Sequence, residues 1–193
     1  EDKPLRGDEL LNLDMIESEW LVEDLIPVGL TILAGKSKVG KSYLLINLAM
    51  SIIHNNQIFD EFYLDQGKIL YLSLEDPKRR LISRIHEANS NIDKDLMAKY
   101  FNVYFDFPKL KHGGLKKLEE WIEQANKEAE DKNDSTLKPK LIIIDTFAKV
   151  AGLKESTSGG RQYTEEYNVL TPLADLAHKY DLSIILVHHT RKS

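Results

Sequence analysis

The 193-residue sequence contains no cysteine. That excludes a disulfide framework and any thiolate metal site, and it fits work in a reducing cytoplasm. Long apolar runs are also missing. The longest fall far short of the roughly 20 residues needed to cross a bilayer, so no membrane span is expected. The first residues, Glu1, Asp2, Lys3 and Pro4, lack the basic-then-apolar order of a secretory signal. There is no excess of positive charge: 26 basic and 31 acidic residues give a net charge of −5. No global field therefore draws nucleic acid to the chain. No stretch interleaves aromatic and basic residues as a single-strand binding platform would. Internal repeats and extended low-complexity tracts are absent too. What remains is 42% hydrophobic and 30% charged, the make-up of a globular protein able to bury one sizeable core.

The apolar residues fall into a repeating order. Residues 30–34 (LTILA) read as a short strand ending in glycine. A helical pattern follows at Leu44, Leu45, Leu48, Ala49 and Ile52. Residues 68–74 (KILYLSL) read as a second strand, and Pro77 suits the first turn of a helix carrying Leu81, Ile82 and Ile85. Residues 101–107 alternate like a strand. Residues 115–131 read as a helix with Leu118, Trp121, Ile122 and Ala125 on one face. After a polar linker at 131–139, residues 141–144 (LIII) form a β-branched run expected of a strand buried on both faces. A polar loop is expected at 154–161, a helix at 167–180 and a last buried strand at 182–187. Leu10, Leu11, Leu13 and Ile16 suggest a short amphipathic element near the start. Strands alternating with helices imply an α/β fold: a mostly parallel sheet with helices on both faces. Ligands of such sheets sit at the carboxyl ends of the strands.

Three clusters fall at such ends. The first is Gly35, Lys36, Ser37, Lys38, Val39, Gly40, Lys41 and Ser42, with Tyr43 just after. It matches G-x-x-x-x-G-K-[ST] between a strand and a helix, the setting that gives the pattern its meaning. Gly35 and Gly40 are expected to let the backbone turn tightly so that successive N–H groups point inward. Those groups and the helix N-terminus make a phosphate cradle. Lys41 is expected to bridge the β- and γ-phosphates, and the Ser42 hydroxyl to ligate Mg²⁺. Lys36 and Lys38 either add charge to the cradle or are solvated surface lysines.

The second cluster is a pair of carboxylates. Asp145 ends the LIII strand and either holds Mg²⁺ through a water or caps the next helix. Thr146 beside it orients that water or packs. Glu75 ends the KILYLSL strand. It either deprotonates a water in line with the γ-phosphate, or forms with Asp76 an acidic pair at a helix start. Asp76 is the expected cap. The third cluster is His188 and His189, followed by Thr190, Arg191 and Lys192. A histidine there can hydrogen-bond the γ-phosphate, and His188 is the first choice. No ligand spacing in the sequence suggests zinc.

The order GKSKVGKS, YLSLEDP, LIIIDTF, ILVHHTRK resembles the RecA-like P-loop ATPases, and among them the RepA-type hexameric replicative helicases of plasmids, phages and bacteria. The resemblance spans about residues 20–192. It implies a RecA-like P-loop core over 29–193, an N-terminal segment over 1–28, and a chain truncated at its C-terminus. It implies ATP and Mg²⁺ as ligands, Glu75 as general base, Asp145 as the Mg²⁺-site aspartate and the histidine pair as γ-phosphate sensor. Arg79 and Arg84 match the region that touches adenine. The partners implied are further copies in a hexameric ring, one of which supplies an arginine to the site, and single-stranded DNA. The residues also allow a different reading, an ATP-switched interaction module that changes its 154–161 loop with little turnover.

Overall fold

The computed structural model describes residues 4, 6–11, 19–152 and 159–190. In chain order the elements are α1 (Gly7–Leu11), β1 (Trp20–Val22), β2 (Ile26–Pro27), β3 (Gly29–Gly35), α2 (Lys41–Ile53), β4 (Gln57–Ile58) and β5 (Phe62–Tyr63). Then come β6 (Lys68–Ser73), α3 (Lys78–Ala88), α4 (Lys94–Tyr100), β7 (Phe101–Tyr104), α5 (Gly114–Asp131), β8 (Pro139–Asp145), α6 (Phe147–Ala151), α7 (Gly159–Lys179) and β9 (Ser183–His189).

Five strands form one sheet in the order β3-β9-β8-β6-β7, and every neighbouring pair is parallel. The short strands pair as two antiparallel hairpins, β1 with β2 and β4 with β5. β6 is buried at all six positions, because helices cover both faces and leave no polar side. Side chains alternate across each strand. Ile69, Tyr71, Leu141, Ile143, Ile185 and Val187 therefore join the core under α2 and α3. Leu70, Leu72, Ile142, Ile144, Ile184 and Leu186 join the core under α5 and α7. Each fully buried leucine or isoleucine contributes roughly 1.5–3 kcal/mol, so the two cores hold the strand ends in fixed register.

Register places the chemistry. β3 and β6 are consecutive in the large sheet by sequence, yet β9 and β8 lie between them. The loop after β3, the end of β9, the end of β8 and the end of β6 thus stand side by side at one carboxyl edge. This is where an open α/β sheet forms its crevice.

Several expectations are corrected. Asp76 does not cap α3; Pro77 occupies the N-cap without a side-chain hydrogen bond, and Asp76 faces two arginines instead. Asp145 does not cap α6, whose N-cap is Thr146. Ile82 is exposed, since α3 buries a narrow stripe made by Leu81 and Ile85. Residues 159–161 belong to α7, which starts earlier than the apolar pattern shows. Residues 153–158 of the expected loop lie outside the described residues, as do Leu13, Ile16, Arg191 and Lys192. The linker at 131–139 carries a short 3-10 turn, Ser135–Leu137, that buries Leu137.

Candidate functional site

The loop that joins β3 to α2 has two left-handed residues. Gly40 sits at φ 97°, a conformation that only glycine adopts without strain. Lys38 sits at φ 67°, which costs a side-chain-bearing residue about 1–2 kcal/mol. Gly35 differs from expectation. Its φ is not positive, and a Cβ there would make ordinary contacts with Val39 and Lys41 at 3.6 and 3.7 Å. The tight turn therefore rests on Gly40.

Lys41 is the first residue of α2 and only 7% exposed. Its ammonium donates to the carbonyls of Gly35 at 2.7 Å and Lys36 at 2.8 Å. It also meets Nδ1 of His189 at 3.2 Å. The other ring nitrogen of His189, Nε2, lies 3.0 Å from Glu75 Oε2. Lys41, His189 and Glu75 thus form one hydrogen-bonded line running from the loop to the end of β6.

Asp145 stands beside this line and is 6% exposed. It accepts a hydrogen bond from the Tyr71 hydroxyl at 3.0 Å and one from Ser42. Burial pushes the Asp145 carboxyl above the ordinary carboxylate range; the bonds from Ser42 and Tyr71 pull it back, while Asp76 and Glu75 add upward pressure. Tyr71 is 1% exposed. Burial and the neighbouring Asp145 push its pKa well up, so it remains a proton donor to that carboxylate. The peptide between Asp145 and Thr146 is cis.

A cleft of about 560 Å³ opens over these groups. Of the loop, Ser37, Lys38, Gly40, Lys41 and Ser42 line it, followed by Tyr43. Lys36 gives its carbonyl to Lys41, and the Val39 side chain is 62% exposed. Glu75, Asp76, Asp145 and His189 form the far wall with Arg80 and Arg84. Asp76 pairs with Arg80 at 2.8 Å and with Arg84. Arg79 is exposed and outside this lining. Asp76 precedes α3, and Arg80 and Arg84 stand four residues apart on one face of that helix; the four-residue spacing from Asp76 is a signal that singles out Arg80 over Arg79. A larger groove of about 730 Å³ lies beside β7. Its Lys68 and Lys132 are paired with Glu128 and its Lys99 with Asp134, so it offers no convergent charge like that of the strand-end cleft.

The two histidines part company. His189 shares the face of Ile185 and Val187 and reaches the cleft. His188 shares the face of Leu186; its ring centre is 6.3 Å from that of Phe147, and it lines an apolar hollow with Ile32 and Leu170. Thr146 is buried at the start of α6.

Ser42 and Asp145 present hard oxygen ligands in contact with each other, and a desolvated carboxylate gains from a cation. Their chemistry fits Mg²⁺. Ligand atoms of Glu75, Asp145 and His189 also come within 4.8 Å of one another, a proximity that chain spacing did not reveal.

Tyr71 was not singled out from the sequence, because it sits in the apolar run Ile69–Leu72 at the centre of its strand. Tyr71→Phe keeps the ring and removes one of the two donors to Asp145. If Asp145 holds Mg²⁺, the change is expected to weaken nucleotide binding in the presence of Mg²⁺ by roughly tenfold, as loss of a partner to a metal-ligating group does. The check is a Mg²⁺ titration of binding by a fluorescent ATP analogue. An unchanged midpoint would mean that Tyr71 only packs.

A phosphate loop between a parallel strand and a helix, with carboxylates at neighbouring strand ends, defines a P-loop nucleotide-binding protein with a RecA-like α/β core. A family model described as an AAA domain matches residues 11–193. The chain belongs to that AAA domain family, and with its parallel core it is a nucleotide-dependent ATPase. No helix among the described residues is long and apolar enough to cross a membrane.

Proposed function

We propose that residues 29–193 are the Mg²⁺-dependent ATP-hydrolysing core of a ring-forming DNA motor in the cytoplasm, a RepA-type helicase or a related replication or repair ATPase. Residues 1–28 would be an N-terminal segment outside that core. The observation that carries hydrolysis is the line Lys41–His189–Glu75 across the cleft, with Ser42 and Asp145 beside it. A nucleoside triphosphate seated on the loop places its phosphates against the N–H groups at the start of α2. Lys41 bears on the β- and γ-phosphates. Mg²⁺, held by Ser42 and Asp145, would neutralise charge on the phosphate oxygens. Glu75, 51% exposed at its side chain, has access to water and can orient and deprotonate it for in-line attack. Arg80 and Arg84, held by Asp76, flank the nucleotide.

The motor half of the reading is supported by the order of the four motifs and by family membership. It implies a ring in which a neighbouring subunit supplies an arginine, worth about 10³-fold or more in rate. The test measures ATP hydrolysis with and without single-stranded DNA, alongside mass in solution by light scattering. Weak turnover by the monomer, rising with assembly and with DNA, is expected. No stimulation and no oligomer would sink the motor while leaving ATP hydrolysis standing. Vigorous turnover by a strictly monomeric sample would refute completion of the site by a neighbour.

A further inference from the structure

An ammonium has three protons to give and nothing to accept with. Lys41 spends its three on Gly35 O, Lys36 O and His189 Nδ1. Nδ1 of His189 must therefore be the acceptor. The ring proton then sits on Nε2, where it donates to Glu75 Oε2 at 3.0 Å. The line has one direction only: from the lysine, through a neutral imidazole in its Nε2–H tautomer, to the carboxylate. A ring with its proton on Nδ1 would point it at an ammonium 3.2 Å away and leave Glu75 without its donor.

We propose that His189 is a positioning residue that makes the orientation of Glu75 depend on Lys41, acting through these two side chains rather than by touching phosphate. Of the three acceptors on Lys41, His189 is the most distant, at 3.2 Å against 2.7 and 2.8 Å. A phosphate oxygen that takes a proton from Lys41 therefore displaces His189 first, because the longest bond is the weakest. Nδ1 then needs another donor, the ring must shift, and the Nε2–H that fixes Glu75 shifts with it. Phosphate occupancy at the loop is thereby passed to the carboxylate at the end of β6. Nothing in the line depends on His188, which lies on the other face of its strand.

The inference rests on Glu75 being the hydrolytic base, so its test separates the two. Single-turnover hydrolysis is measured in four proteins: the unaltered chain, His189→Ala, Glu75→Gln and the double variant. If His189 acts through Glu75, its loss lowers the rate by roughly tenfold or more in the Glu75 background. In the Glu75→Gln background the loss is under about threefold, the non-additivity expected of residues that act as a unit. Dissociation constants for ATP stay within about threefold throughout. His189→Gln, whose amide both accepts and donates, recovers most of the rate. Equal losses in both backgrounds, or a large loss of ATP affinity, would mean that His189 meets phosphate directly and would overturn the proposal. A second readout needs no hydrolysis. The ¹⁵N shifts of the His189 ring at neutral pH are expected to show a protonated Nε2 and a bare Nδ1. The opposite tautomer, or two protonated nitrogens, overturns the proposal even if ATP is hydrolysed normally. If the unaltered chain fails to hydrolyse ATP while the Nε2–H tautomer is found, the hydrolytic reading fails and the bridge stands.

Discussion

Glu75→Gln is expected to lower the rate of ATP hydrolysis by about 10²–10⁴-fold, the range supplied by a positioned general base, while ATP affinity changes by no more than a few-fold. The amide oxygen of glutamine can still accept from Nε2 of His189, which meets Glu75 Oε2 at 3.0 Å, so the geometry survives. What disappears is the proton-accepting carboxylate. Glu75 touches neither the loop nor Ser42 by any hydrogen bond described among the described residues, so the phosphate cradle is untouched. The measurement pairs steady-state phosphate release with equilibrium binding of a fluorescent ATP analogue. Loss of turnover with retained binding supports catalysis. Normal turnover would show that Glu75 is not the base. It would also return weight to an ATP-switched module, in which nucleotide acts by occupancy rather than by cleavage.

Lys41→Ala is expected to act on the other half of the cycle and to weaken ATP binding by roughly 10- to 150-fold. That corresponds to one charged hydrogen-bonding group withdrawn from a polyphosphate, about 1.5–3 kcal/mol. The side chain is buried, at 7% exposure, and satisfies two loop carbonyls, Gly35 and Lys36. Its removal leaves those carbonyls to water. Isothermal titration with ATP and, separately, with AMP distinguishes the causes. A collapsed loop would damage the binding of both ligands equally. A lost β,γ-phosphate contact would penalise ATP and spare AMP. Unchanged ATP affinity would refute the phosphate role of Lys41. Because no ammonium then bears on the β- and γ-phosphates, hydrolysis by any ATP still bound falls as well.

The strand–loop–helix around Gly40 and Lys41 was legible in the sequence because it is local. Eight residues in a row, a strand before them and a helix after them fix where the N–H groups point. The buried run at 141–144 was legible for a similar reason, since a strand covered on both faces has to be apolar throughout. That same uniformity hid what mattered next to it. In β6 and β9 no polar alternation marks the faces, so nothing in the sequence separates Tyr71 from Leu72 or His189 from His188. His188 was the first choice, yet the structure turns it to the apolar side with Phe147 and brings His189 to Lys41. At the start of α3 the resemblance pointed to Arg79 and Arg84, and the four-residue spacing of Asp76, Arg80 and Arg84 was passed over. There the pairing of Asp76 with Arg80 and Arg84 sets which guanidinium faces the cleft.

By itself, then, the sequence determined the architecture class and the phosphate loop, because strand and helix periodicity and the loop's glycine–lysine–serine pattern are short-range properties. Only the tertiary structure decided which side chains complete the site. The order β3-β9-β8-β6 inserts two strands between the loop and Glu75, and the parallel register puts odd-numbered residues of three strands on the α2 face. That places Glu75, Asp145 and His189 within 4.8 Å of one another. Those residues are tens of positions apart along the chain, and it is the burial of Ile69, Ile143 and Ile185 at the strand centres that sets their meeting.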